Sequence, residues 1–449
     1  MARFAGCSWL CLALAGCAAA PVSPCPESRV AVTTSAAPDR ALVDRLAFEE
    51  EQTTPCRGPG LRACLQTPIF VRAEGFLMDG REHEIGVLGW DRATSSGPGC
   101  TRFARVRTDD RRVLSQTGCL EAGDSHFGLA ATPSGWLLGT RAGYHHPGEH
   151  PYDIRVHRIQ DGAVSEPWKV AASELVFPAP GGGGPIFSDA RLVSRPGGGP
   201  LLVFTSGADT SVVLLDEAGK PVWTPKVLPP ATAGAANEQV PKIGGAVWAN
   251  GAFYVLRYSK TRDTTGYNWE QGAAATIARV DLTGTATQHA LPEGAWTSAL
   301  ALGGGDEGPV LASWDGRDSK LLRFNGDGTA GRVVPLSLVG IPHIHAVHGF
   351  AGETWLVATD FGARHAVTDR SRVLLYRVAD DGDVLERREI SERASDVNEQ
   401  AFLGVAGGEA WAGWKSGGFF MRRMALAFFD LPRKPEIRAP LVTPETSGR

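Results

Sequence analysis

No basic stripe interrupts this sequence. Lys and Arg total 45 against 49 for Asp and Glu, for a formal net charge of −4, and the two signs are interspersed. A nucleic-acid partner calls for cations clustered on one face, so none is expected. Beyond residue 22 no apolar run approaches the ~20 residues that a spanning helix requires. The usual local signatures of catalysis are missing too. There is no Gly-x-Ser-x-Gly elbow, phosphate loop or dinucleotide fingerprint, and His83-Glu84 has no histidine three residues later. The run Gly181 to Gly184 has no strand–helix context and reads as a connection. Cysteines and histidines are too scattered for a zinc cluster, and no cofactor is expected.

What is present begins at the N-terminus. Arg3 precedes an apolar stretch from Phe4 to Val22, with Pro21 and Pro24 behind it. A charged start, a short apolar middle and small residues before a break form the secretory signal pattern. Within it, Leu14-Ala15-Gly16-Cys17 resembles the lipobox of bacterial lipoproteins. The resemblance implies cleavage before Cys17 and acylation of that residue; several acyl chains anchor stably where one is marginal. With Ala18 rather than Asp after the cysteine, it also implies the outer membrane rather than the inner one. The expected order is a signal peptide over 1–16, a lipidated Ala-, Pro- and Ser-rich tether over 17–40, and a short helix with a cysteine loop over 41–65. A β-domain over 66–440 and a flexible tail over 441–449 complete it.

An exported chain lives where disulfides form. In "CTRFARVRTDDRRVLSQTGC" the midpoint is Asp109-Asp110, and a hairpin turning there sets Cys100 opposite Cys119. Opposed residues lie about 4.5–5.5 Å apart at Cβ, close to disulfide spacing. The alternative is two unpaired buried thiols. Cys56 and Cys64 flank the turn-rich "RGPGLRA" and form the second candidate pair, leaving Cys25 over.

The 55 glycines and 30 prolines suit many short strands joined by turns. Apolar runs lead repeatedly into an Asp turn, as in "VRTDDRR", "RIQDGAV", "LLDEAGKPVW", "RVDLTGTA", "FNGDGTAG", "VADDGDV" and "FFDLPRK". The markers Asp109, Asp161, Asp216, Asp281, Asp327, Asp381 and Asp430 recur at intervals of 46 to 65 residues. A second signature, a turn followed by an apolar strand, precedes most of them, as in "PSGWLLGT" and "AGETWLVATD". Each unit reads as four antiparallel strands with an Asp turn between the third and fourth. Seven such units predict an all-β fold, a seven-bladed β-propeller, with six or eight blades or paired β-sandwiches as alternatives. "VVLLDEAGKPVW" resembles the outer hairpins of quinoprotein-like propellers, which implies a fold and no cofactor. "SWDGRDSKL" does not match sialidase-type Asp boxes, because Gly directly follows Asp. Either "SRVAVTT" at 28 or the tail near Ile437 is expected to supply the strand that closes the ring.

Long polar loops on a rigid scaffold are where binding concentrates. One loop carries Tyr144, His145, His146, His150, Tyr152 and Asp153, a second Arg262, Tyr267 and Trp269, and a third His365 and Arg370. All three are expected on the face holding the second-to-third-strand loops, around the central funnel. His145, His146 and His150 are also candidate metal ligands, although loop spacing specifies no geometry. "PHIHAVH" begins an innermost strand and reads first as a structural histidine group. The sequence favours a lipid-anchored binding or scaffold protein of the cell envelope, held to the membrane and taking an unknown protein or saccharide. The alternative is a lyase or hydrolase with a funnel active site, possible even without a local motif because its groups would come from several blades.

Overall fold

The computed structural model describes residues 64–67 and most of 75–431. Within that span it omits 91–100, 118–124, 142–153, 161–162, 166–167, 172–188, 207–208, 231–238, 263–268, 293–298, 315–317, 339–341, 351, 361–370, 392–398 and 417–422. The described strands form seven antiparallel sheets, each built on four strands. The first strand of each blade touches the first strand of the next, and that of blade 7 touches that of blade 1. The protein is a seven-bladed β-propeller.

First strands are Gly75–Arg81, Ser125–Thr132, Ala190–Arg195, Gln239–Ala249, Ala299–Gly303, Pro342–Phe350 and Glu399–Ala406, in blades 1 to 7. The turn-plus-apolar signature marks the second strands, such as Gly135–Arg141 and Glu353–Asp360. These are buried on both faces because each blade is covered by its two neighbours. In Gly135–Arg141 every residue but the last is buried. Each such apolar side chain contributes roughly 1.5–3 kcal/mol. Fourth strands lie at the outer edge and alternate instead, as Val384–Glu389 does between half-buried and exposed residues.

Blades lock together through flat contacts. The Trp136 ring of blade 2 lies against Gly86 of blade 1, where an added Cβ would come within 2.6 Å of it. The Asp turns divide their labour. Asp216 accepts from the amides of Ala218 and Lys220, and Asp281 from those of Thr283 and Thr285, while Gly219 and Gly284 take the positive φ. The Asp carboxylate caps the turn and the glycine bends it.

The ring closes with neither expected segment. Strand Cys64–Thr67 pairs with Arg423–Asp430, the third strand of blade 7, with Leu65 opposite Leu426. Cys64 therefore belongs to the closing strand; Cys17, Cys25, Cys56, Cys100, Cys119 and the helix expected near 39–52 lie outside the described residues. The hairpin of Thr101–Arg107 and Val113–Gln116 departs from its expected register. Val106 faces Val113, but a bulge then sets Ala104 against Gln116, one residue away from the register that opposes positions 100 and 119.

Candidate functional site

The two ends of the ring are unlike. Joins between first and second strands are two residues long in every blade except blade 5, where the join is 304–309. At the other end, second and third strands are joined by 91–100, 142–153, 263–268, 361–371 and 417–422 in five blades. Antiparallel order puts those long connections at the same end as the blade-to-blade connections.

Between the ends runs a central cavity of about 1200 Å³, lined by first-strand residues of all seven blades. Its described wall runs into the short hairpins, with Arg81, Pro133, Arg195, Asn250 and Asp306 at the rim. This cavity thus reaches the end opposite the long connections, where no binding residue was expected.

Asp79 of blade 1, half-buried, lines this channel two residues before Arg81 at the rim. Its Oδ2 accepts from the Ala131 amide of blade 2 at 2.7 Å and its Oδ1 from Gly80 at 2.9 Å. The Ser194 hydroxyl of blade 3 donates to it as well. Ser194 is brought there by a register shift between Val193 and Arg195, the kind of irregularity that re-aims a side chain. Burial pushes the Asp79 carboxyl up to about 6, outweighing the three donors.

Three histidines of blade 6 share the wall region. His345 is skipped by the strand register between Ile344 and Ala346. Its Nε2 lies 2.7 Å from Thr359 Oγ1 and 3.4 Å from His343 Nδ1. Burial lowers the His343 imidazole. Burial, helped by His343, takes His345 down to about 3, and burial takes His348 to about 4 against the opposing charge of Asp306. All three are neutral at pH 7. At the rim Glu84 takes Arg105 at 2.6 Å and Arg81 at 2.7 Å. Burial raises that carboxyl, but the two guanidinium groups outweigh it and hold it below its ordinary value.

A second charged group gathers at the long-connection end of blades 2 to 4. Asp189 accepts from the Ile243 amide of blade 4 and from Arg191, both at 3.1 Å. Arg141, the last residue of its strand, and Tyr258 both feel the charges of Asp189 and Arg191. Arg257 of blade 4, in register with Ile243, stands apart from this group: it is fully buried and donates to Gln288, and burial lowers it to about 10, so it stays a cation at pH 7.

Of the residues expected to bind, Tyr144, His145, His146, His150, Tyr152, Asp153, Tyr267, His365 and Arg370 lie outside the described residues. Arg262 and Trp269 face each other across the ends of the second and third strands of blade 4. Among the described residues no group of three or more His, Cys, Asp or Glu side chains is placed to hold a metal. Sequence reasoning missed Asp79, Ser194, Arg141, Asp189 and Arg191. The one available signal was a carboxylate following the apolar run "GFLM" within the strand.

No protein-family model and no curated protein matches the chain. Solved structures do. Polysaccharide lyase Uly1 is 10% identical, with 81% of this chain and 91% of that one covered at a TM-score of 0.50. The β-propeller domain of the Trilobed protease from Pyrococcus furiosus is 9% identical, with 83% and 99% covered at 0.43. At such identities the likeness is one of fold.

Proposed function

We propose that this chain is a lipid-anchored binding propeller of the bacterial cell envelope that takes an acidic saccharide at its long-connection end. The cations Arg141 and Arg191, set against the carboxylate of Asp189, carry this reading. Guanidinium groups suit carboxylate and sulfate esters because their planar forks donate in pairs. The sequence around Cys17 supports the anchor and the outer-membrane location.

The test uses full-length protein and two probes, alginate and neutral dextran. Alginate should bind, dextran should not, and binding should weaken with added salt. Arg141→Ala with Arg191→Ala should reduce alginate affinity at least about tenfold, the loss of a charge-assisted contact. Equal retention of dextran, or an unaffected double variant, would overturn the reading. Labelling by radioactive palmitate that disappears in Cys17→Ser tests the anchor separately.

A second reading, a lyase or hydrolase, is favoured by one observation: Asp79 and His345, both shifted by burial, share the channel wall. Perturbed titratable groups in a cleft mark candidate active sites. A new ultraviolet chromophore from an alkene product, or fresh reducing ends, would appear on incubation with alginate if this reading holds. Absence of both with bound alginate leaves the binder.

A further inference from the structure

Beside the channel, between the inner strands of blades 6, 7 and 1, lies a side pocket of about 250 Å³. Asp79, Gly80, His345 and Leu403 line both spaces, so the pocket opens into the channel. Its walls are Met78, Phe402, Leu403 and Trp411, apolar groups around one carboxylate.

Among the described residues Asp79 has no cationic partner. Its contacts are two backbone amides and one hydroxyl, and no Lys or Arg charge acts on it. A carboxylate offers about four acceptor positions. Three are used, so one remains. A half-buried carboxylate without a cation is poorly solvated, and a cation from outside the chain offsets that cost. A hard metal ion is poorly served: beside Asp79 the described lining offers only the soft Met78 thioether and His345, whose Nε2 is engaged with Thr359. Apolar walls around a lone carboxylate suit a cation that carries its own hydrocarbon.

We propose that this pocket binds a small organic ammonium ion, with Asp79 as its counter-ion and the Met78, Phe402 and Trp411 side chains around its hydrocarbon part. The ammonium donates to the remaining acceptor position of Asp79. Ala346 lines the same pocket. This site is separate from the long-connection end and stands or falls independently of it.

The probe is n-butylammonium, with n-butanol as the neutral control, added to the full chain carrying Cys17→Ser and followed by saturation-transfer NMR. Butylammonium should bind and butanol should not. Because butylammonium stays charged from pH 5 to 7, the pH dependence reports the protein. His345 and His348 stay neutral over that range, His343 beside His345 is lowered by burial, and Glu84, held below its ordinary value by Arg105 and Arg81, stays ionised. Apparent affinity should therefore rise about tenfold from pH 5 to 7 as the competent, ionised fraction of Asp79 grows. Asp79→Asn should abolish binding, and Ala346→Leu should abolish it by filling the pocket without changing any charge. Butanol binding as well as butylammonium, no butylammonium binding at pH 7, or full binding by Ala346→Leu would each overturn the proposal. The wild-type comparison decides even if Asp79→Asn does not fold.

Discussion

Arg111 in the last turn of blade 1 donates from Nη2 to Glu409 at the start of the second strand of blade 7, at 2.9 Å and across 298 residues of sequence. Both side chains are nearly buried, and the guanidinium also stacks 4.6 Å over the Phe428 ring. The pair sits on the seam where the ring meets itself. Glu84 and Glu353 occupy the corresponding first position of the second strand in blades 1 and 6, and each takes an arginine of its own third strand. Only the blade 7 copy reaches across to the next blade.

Removing one member of a buried pair leaves the other uncompensated. Glu409→Ala should therefore lower unfolding free energy by about 3 kcal/mol, measured by urea denaturation. Glu353→Ala, whose partner Arg377 is more exposed and keeps Glu386, should cost under about 1 kcal/mol. Equal losses would mean the seam pair has no special role.

Gly86→Ala places a methyl within 2.6 Å of the rigid, buried Trp136 ring. Overpacking of this kind costs about 1–3 kcal/mol. Gly251→Ala, at an exposed hairpin with nothing within 4 Å, meets only its φ of 75°. Denaturation midpoints should fall further for Gly86→Ala than the conformational cost seen at Gly251, and Trp136→Leu should rescue part of the loss.

The channel gives stability a predictable pH dependence. Asp79 has a raised folded value, so its contribution is complete below the unfolded value near 3.8 and is lost as pH rises through about 6. His345 and His348 are depressed, so theirs is complete above 6.5 and is lost as pH falls towards 4 and 3. Between pH 4.5 and 5.5 the two histidines outweigh the one aspartate, and these three groups together make stability rise with pH. Asp79→Asn removes the opposing member, so that rise should steepen by about 1.4 kcal/mol per pH unit. Parallel curves for wild type and variant would contradict the burial argument.

Deleting residues 1–67 removes the strand that covers Arg423–Asp430. The exposed edge should promote self-association, visible by size-exclusion chromatography, along with a lower melting temperature. Deleting 1–60 should leave both unchanged.

The repeat was legible because blade geometry imposes a local demand. Every second strand is covered on both sides and reads as an apolar run, as in "WLLGT" and "WLVAT". Most of the described outer turns need a cap and a positive φ, which selects Asp and Gly together; in blade 1 Arg111 takes the positive φ instead. "PHIHAVH" was recognised as an inner strand for the same reason. The bulge between Arg105 and Val106 was not, because it leaves no mark on composition. Nor did composition single out Cys64–Thr67 as the closing strand: four residues carry no periodicity, and their pairing depends on which edge is left open.

Sequence alone thus determined the β-propeller and its seven units, since each unit's pattern answers to neighbours that repeat its own. Tertiary structure decided the site. Asp79, Ala131 and Ser194 come from three blades and lie about fifty to sixty residues apart in turn. Their meeting follows from the radius of the ring and the displaced register that aims Ser194. The acidity of Asp79 follows from what surrounds it, and no stretch of sequence around "LMDG" contains that surrounding.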